Sequence, residues 1–296
     1  MFQRKTFRLR LPSRTLVLGE RTLIMGVLNV TGDSFSDGGL YLGADTAIAR
    51  ALEIERDGAN ILDIGAESTR PGARPISVSE ELQRLVPVLN VLRGRIKIPI
   101  SVDTSKPEVA IAAADAGAEI LNDVTALRNG LGIAEVAHRR KLALILMHMR
   151  GEPRTMQRMP FARNVKRDVT SGLRAAVHRA KSAGVKKSQI ILDPGIGFGK
   201  SDAQNFELLA RLPELSTLGF PLLVGTSRKG FIGRALGGAP SSERIWGTAA
   251  TVAGSILGGA HIVRVHDVAE MAQVARVTDL ISRPADAAST KSRGEL

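Results

Sequence analysis

Short apolar runs of β type alternate with longer amphipathic stretches along most of this chain. The apolar runs are Thr22–Leu28, Asn60–Ile64, Ile98–Val102, Glu119–Leu121, Leu142–Met147, Gln189–Leu192, Pro221–Val224 and Ile262–Val265. Between them lie helical patterns such as Asp45–Asp57, Ser79–Leu92, Pro107–Ala116, Val165–Ser182, Ala203–Arg211 and Arg244–Leu257, and Val268–Ile281 closes the series. A strand–helix alternation pairs its strands in parallel through right-handed crossovers. Eight such units predict a (β/α)8 TIM barrel, with an open doubly wound sheet as the alternative. Residues 5–21 alternate in strand fashion and predict an N-terminal β-hairpin closing the barrel's base. With no Pro/Ser-rich linker in between, residues 1–284 read as a single domain, and the small, polar segment 285–296 after Pro284 reads as a disordered tail.

The polar residues favour the barrel. Every predicted strand ends in a group unusual for a simple turn: Asn29, Asp63, Asp103, Asn122, His148, Asp193, the Gly225–Lys229 segment, and Arg264 with His266. Alone, each would be ordinary capping or turn chemistry. In a barrel all eight ends converge on one mouth, where active sites lie.

Composition narrows the function classes. The 296 residues are 44% hydrophobic but only 3% aromatic, so the core must be built from Ala, Val, Ile and Leu, which suit parallel strands and their covering helices. With no cysteine, disulfides and thiolate metal sites are excluded. The basic start MFQRKTFRLR leads into no apolar signal core, and the most apolar later stretch, Ala249–Val263, is interrupted by glycines and His261 and is too short to span a bilayer. A cytoplasmic protein without membrane attachment is expected. The formal charge of +12 is spread over predicted helices with few aromatics, so it reads as solvated helix faces rather than a nucleic-acid surface.

Several motifs carry candidate chemistry. LNVTGDSFSDGG (Leu28–Gly39) leaves a buried strand as a long Gly/Ser/Asp-rich loop, and DIGAESTRPGA (Asp63–Ala73) offers Arg70 as a fork donor to a carboxylate or phosphate. In SVDTSKP, Ser105 is the better cap for the helix near Pro107, which frees Asp103; Asp123 caps a turn, which frees Asn122. Asp103, Asn122 and Asp193 would then face adjacent ring N–H and exocyclic amino donors, as on a pterin or guanine edge. DPGIGFGKS (Asp193–Ser201) imitates a P-loop but has Pro194 where the Walker pattern needs glycine, so nucleoside-triphosphate binding is rejected. Glycines 195, 197 and 199 would let a flat ring approach the backbone. Lys229, Arg264 and His266, after the last two strands, could hold a pyrophosphate by charge-assisted hydrogen bonds.

NVT-DSFSDGG, DIGAESTRPG, SVDTSKPEV, LND, LMHMRG-PRTMQ, ILDPGIGFGK, VGTSRKGFIG and RVHDV, in this order from Ile24 to about Val268, closely resemble the dihydropteroate synthase family of pterin-binding enzymes. The resemblance implies condensation of 6-hydroxymethyl-7,8-dihydropterin pyrophosphate with para-aminobenzoate in folate synthesis. It implies that Asp103, Asn122, Asp193 and Lys229 bind the pterin ring, with Met147, Phe198, Gly225 and Thr69 around it. Arg264, Val265 and His266, with Asn29 and Mg²⁺, are implied for the pyrophosphate. Asp33, Phe35, Thr69, Arg70 and Ser227 are implied for para-aminobenzoate, and Asp103, Asp33 and Lys229 for catalysis. A homodimer is implied as well. One residue departs from the family pattern: Gly32 stands where proline usually follows Asn-Val-Thr, and glycine enlarges the conformations the first loop can sample. The competing expectations are a corrinoid-type pterin methyltransferase domain and a catalytically silent relative.

Overall fold

The computed structural model describes residues 4–30, 39–68, 73–152, 155–156 and 161–282, apart from the side chains of 39–43. A hairpin of β1 (Phe7–Arg10) and β2 (Thr15–Leu18) precedes eight parallel strands: β3 (Leu23–Asn29), β4 (Ile61–Gly65), β5 (Ile100–Asp103), β6 (Ile120–Asp123), β7 (Ala143–Met147), β8 (Ile190–Asp193), β9 (Leu223–Val224) and β10 (Ile262–Val265). Their order is β8-β7-β6-β5-β4-β3-β10-β9, and a parallel bridge between Leu192 and Leu222 brings β8 and β9 together to close the barrel. Each predicted strand exists, with ends shifted by a residue or two. The largest change is at β9, which is two residues long, although the Pro221 carbonyl still accepts from the Leu192 amide at 3.0 Å.

The helices α1 (Gly39–Arg56), α2 (Val78–Leu92), α3 (Pro107–Asp115), α4 (Gly132–Arg140), α5 (Val165–Ser182), α6 (Asp202–Ala210), α7 (Leu212–Leu215), α8 (Gly230–Ala235), α9 (Ile245–Leu257) and α10 (Val268–Ser282) cover the strands. Predicted Ser105 does not cap α3. The cap position belongs to Lys106 without a side-chain bond, and Pro107 starts the helix because its missing N–H is not needed there. Asp123 does serve its turn, accepting from the amides of Thr125 and Leu127.

Strand side chains alternate between two cores. Leu62, Ile64, Val102, Leu121, Leu144, Leu192, Val263 and Val265 face the helices. Met25, Ile61, Ile120, Ile145, Ile191, Leu223 and Ile262 face the barrel axis, where Leu9, Leu11 and Leu18 of the hairpin close the lower end. The hairpin is tied down by polar contacts: Glu119 accepts from Ser13, and buried Asp279 accepts from Arg4 and Thr22. Among the described residues no helix is long and apolar enough to cross a membrane.

Candidate active site

The interior residue that follows each apolar layer is polar on most strands. Two positions beyond Ile61, Ile120, Ile191 and Ile262 come Asp63, Asn122, Asp193 and Arg264, and Asp103 ends β5 beside Asn122 in register. The alternation that buries one residue against the hairpin therefore points the next interior residue into the mouth.

Asp63 is the deepest of the group and has no exposed surface. Its Oδ2 accepts from Arg264 Nε at 2.6 Å and from Asn122 Nδ2 at 3.1 Å, while Oδ1 meets no partner among the described residues. The other arm of the Arg264 fork reaches Asp103 Oδ2 at 3.3 Å. Arg264 thus spans two carboxylates from neighbouring strands. Burial, with help from the Asp63 charge, pushes the Asp103 carboxyl up to about 7. Burial likewise lifts Asp193 to about 6, even though its Oδ1 accepts from the Gly195 amide at 2.7 Å. Such carboxyls change charge readily when a cation or a hydrogen-bond donor is placed beside them.

After β9, the neighbour of the Arg264 strand, Lys229 Nζ stands 3.8 Å from the centre of the Phe198 ring. Burial and the nearby Arg264 charge bring its ammonium down to about 8. Phe198 packs on buried Met147, Met149 and Met156, an apolar surface beside the charged one. Gly225 leaves open the space next to Arg264, where a Cβ would lie 3.6 Å from the arginine's own.

The Thr226–Lys229 turn is shaped by Arg228, whose φ of 58° is unusual for a residue with a side chain. This conformation turns Arg228 outward to an ion pair with Asp267 and leaves Ser227 facing His266. The His266 amide donates to Ser227 Oγ at 3.2 Å, and His266 Nδ1 lies 3.0 Å from the same hydroxyl. A Ser227 hydroxyl that donates to Nδ1 leaves the ring proton on Nε2. Burial, then Arg264, pulls the His266 pKa down to about 4, so the ring is neutral. The positive charge expected from three residues therefore comes from Arg264 and Lys229, with His266 as an uncharged donor.

Asp103, Asn122, Asp193, Met147, Phe198, Gly225, Lys229, Arg264, Ser227 and His266 are all brought to this end of the barrel. Asn29 also ends here, exposed, paired in register with Gly65. Val265 is different: its side chain is buried in the helix-facing core, one step out of phase with Arg264, so it can face the mouth only through its backbone. His148 leaves the mouth too, with Nε2 3.4 Å from Asp168 on α5. The three glycines of the β8 loop have left-handed φ of 65°, 85° and 65°. At Gly195 and Gly199 a Cβ would come 1.9 and 2.2 Å from the carbonyls of His148 and Arg150, so these two serve the chain's own packing rather than a ligand.

Asp33, Phe35, Thr69, Arg70 and Gly32 lie outside the described residues, as does the 285–296 segment. The stem of the second loop is described and firmly held. Lys106 pairs with Glu67 and with buried Glu81 of α2, and Arg84 donates to the Ala66 carbonyl at 3.1 Å. Sequence reasoning placed Asp63 at the mouth but gave it no binding or catalytic role. Its signal was an acid inside an otherwise unbroken apolar strand, Ile61–Gly65, where only a paired carboxylate is tolerated.

The family model for pterin binding enzymes matches residues 25–266. A dihydropteroate synthase from Synechocystis is 49% identical over 265 residues, covering 90% of this chain and 92% of that one. Among solved structures, a Yersinia pestis dihydropteroate synthase in a sulfonamide drug complex superposes with a TM-score of 0.87 at 41% identity, covering 93% of this chain and 99% of the other. A Xanthomonas albilineans dihydropteroate synthase with 4-aminobenzoic acid gives the same TM-score and identity, over 95% and 100% of the two chains. The extent of these matches and the charged mouth at the ends of the strands lead to one conclusion: the chain belongs to the pterin-binding enzyme family and, within it, to the dihydropteroate synthases.

Proposed function

We propose that the mouth joins 6-hydroxymethyl-7,8-dihydropterin pyrophosphate to para-aminobenzoate, giving 7,8-dihydropteroate and pyrophosphate. The observation that carries this reading is the interior layer that sets Asp103, Asn122 and Asp193 beside the cations Arg264 and Lys229. The carboxylates and the amide accept from the ring N–H and exocyclic amino groups of the pterin, while Phe198 and Met147 cover a ring face. Arg264 and the Nε2–H of His266 receive the pyrophosphate. In the reaction the bond from the pterin methylene to oxygen breaks, and its electron pair leaves with the pyrophosphate. The aniline nitrogen then bonds to the methylene and releases a proton. Asp103 stabilises the positive charge that develops on the pterin, because a cation beside a carboxyl near neutrality holds it ionised. The aniline is neutral and nucleophilic as it stands, so no strong base is needed. Asp33 and Phe35 of the first loop, Thr69 and Arg70 of the second, and Ser227 are assigned to para-aminobenzoate, with Thr69 also near the pterin. Asp33 and Lys229 complete the catalytic set.

No group of three or more His, Asp or Glu side chains among the described residues is placed to hold a metal unaided. The fit is instead to an ion that keeps water and substrate phosphate as ligands and takes few from the protein, the habit of Mg²⁺. Asn29 would supply the protein oxygen, and the ion would neutralise charge on the departing pyrophosphate. We also assign the chain to a cytoplasmic homodimer. The dimer is supported by Trp246 on α9 and Val277, Leu280 and Ile281 on α10, exposed on two helices packed together. Light scattering tests it, with Leu280→Glu expected to yield monomers. Turnover of the two substrates with and without Mg²⁺ tests the activity, and absence of dihydropteroate in the presence of Mg²⁺ would overturn the reading.

A further inference from the structure

Lys200 closes the β8 loop and is 3% exposed, yet no step above uses it. Its Nζ lies 2.8 Å from the Gly195 carbonyl, 3.0 Å from that of Phe198 and 3.3 Å from that of His148, and 3.2 Å from His148 Nδ1. Carbonyl oxygens only accept, so these contacts call on all three N–H donors of an ammonium, one of them shared with His148 Nδ1. Because Nδ1 of His148 faces this donor, the ring proton sits on Nε2 and points at Asp168. His148 itself is wedged against α5, where a Cβ on Gly172 would come within 2.5 Å of the ring.

We propose that Lys200 is a positioning residue of the pterin pocket, its ammonium gathering the carbonyls of the loops after β7 and β8 to hold Phe198, and through Phe198 the Lys229 ammonium, level with Asp193. The proposal deepens the function above and rests on it. The rest of the loop supports it, since its amides are already committed: Gly195 to Asp193 Oδ1, Gly197 to Asn205 Oδ1 at 2.6 Å, and Phe198 to the Gly195 carbonyl at 3.1 Å. With the Gly195 carbonyl already accepting from Phe198, the Phe198 and His148 carbonyls are the ones for which Lys200 is the donor. Buried carbonyls left unpaired would turn toward water and take the arch with them. Burial draws the Lys200 pKa down to about 7; Asp193 and Asp168 favour the charge, Lys229 and Arg128 oppose it. Phe198 and Lys229 line the pterin side of the mouth, whereas the residues assigned to para-aminobenzoate, Ser227 apart, come from the loops after β3 and β4. The effect of Lys200 is therefore one-sided.

Lys200→Met keeps the length of the side chain and removes its donors. The KM for the pterin pyrophosphate and the calorimetric Kd for 6-hydroxymethylpterin should both rise by about tenfold or more, with the para-aminobenzoate KM within about twofold. Lys200→Ala opens a space that n-propylammonium fits, and that amine should restore pterin affinity in the alanine variant but not in the methionine one. If Lys200→Met does not fold, Asp168→Asn removes the carboxylate that backs His148 and also pairs with Arg150, and should raise the pterin KM by about two- to fivefold with the same selectivity. Unchanged pterin affinity overturns the proposal. So does an equal rise in both KM values without amine rescue, since that marks general loosening of the barrel. A wild-type chain that binds 6-hydroxymethylpterin but turns nothing over would sink the function, and the calorimetry would still decide the role of Lys200.

Discussion

Along β4, Ile61 and Asp63 point the same way into the barrel, and the same step separates Ile120 from Asn122, Ile191 from Asp193 and Ile262 from Arg264. Two residues of strand, roughly 6.6 Å, divide a dry layer from a charged one. The lower layer is closed by hairpin leucines and gains stability from burying apolar surface. The upper layer holds carboxyls against their tendency to stay in water, with Arg264 as their joint counter-ion. The same backbone thus supports two opposite solvation environments, and the lower one offsets what the upper one costs.

The largest break in this contrast is expected from Arg264→Ala. It strips the cation from fully buried Asp63 and from Asp103, which should cost about 3–5 kcal/mol in urea denaturation. It should also abolish measurable pyrophosphate binding, whereas Lys229→Ala should weaken pterin pyrophosphate while affecting free pyrophosphate less. Pairing Arg264→Met with Asp63→Asn should recover much of the stability and none of the activity. Recovery of both would show that the mouth's charges serve folding alone.

Next in size is the base. Ile61→Ala removes a fully buried side chain from the dry layer and should cost about 2–5 kcal/mol, with kcat per folded molecule nearly unchanged. A large fall in kcat at full folding would mean that the two layers are not separable. Asp193→Asn should act in the reverse sense, losing about 1.5–3 kcal/mol of pterin affinity by calorimetry.

The smallest effect is the dependence of stability on pH. Asp193 and Asp103 are raised to about 6 and about 7 from an ordinary value of 3.8. Over that window the native chain holds protons that the unfolded chain has released. Stability therefore falls as pH rises from about 4 toward 7, then levels. In Asp193→Asn this fall should shrink by about 1 kcal/mol or more in denaturation series taken across the window. An undiminished fall would assign the slope to other groups.

Where the chain repeats itself, sequence and structure agree. The eight apolar runs, the helix Val165–Ser182 and the hairpin all occur, because hydrophobic period alone decides which stretches can pair and which can coil. Val265 shows the limit of reading a motif as a block. RVHDV sits at the mouth, but the period of two sends alternate residues to opposite cores, and only Arg264 and His266 remain available there. His148 shows a different limit. Its place just past a strand end suited the mouth, but the direction of its ring was settled by Gly172 and Asp168 on α5, far along the chain. Ser105 lost its capping role to a proline that begins the helix without needing a bond.

By itself, then, the sequence determined the order of strands and helices, the barrel they close, and the family to which its ordered motifs point, since these follow from local period and residue type. Tertiary structure alone decided that Arg264 bridges Asp63 and Asp103, that His266 is neutral and bound to Ser227, and that Lys200 ties two loops together. Those facts depend on burial and on distances between residues as many as 201 positions apart, and no local pattern encodes the desolvation and close approach that set them.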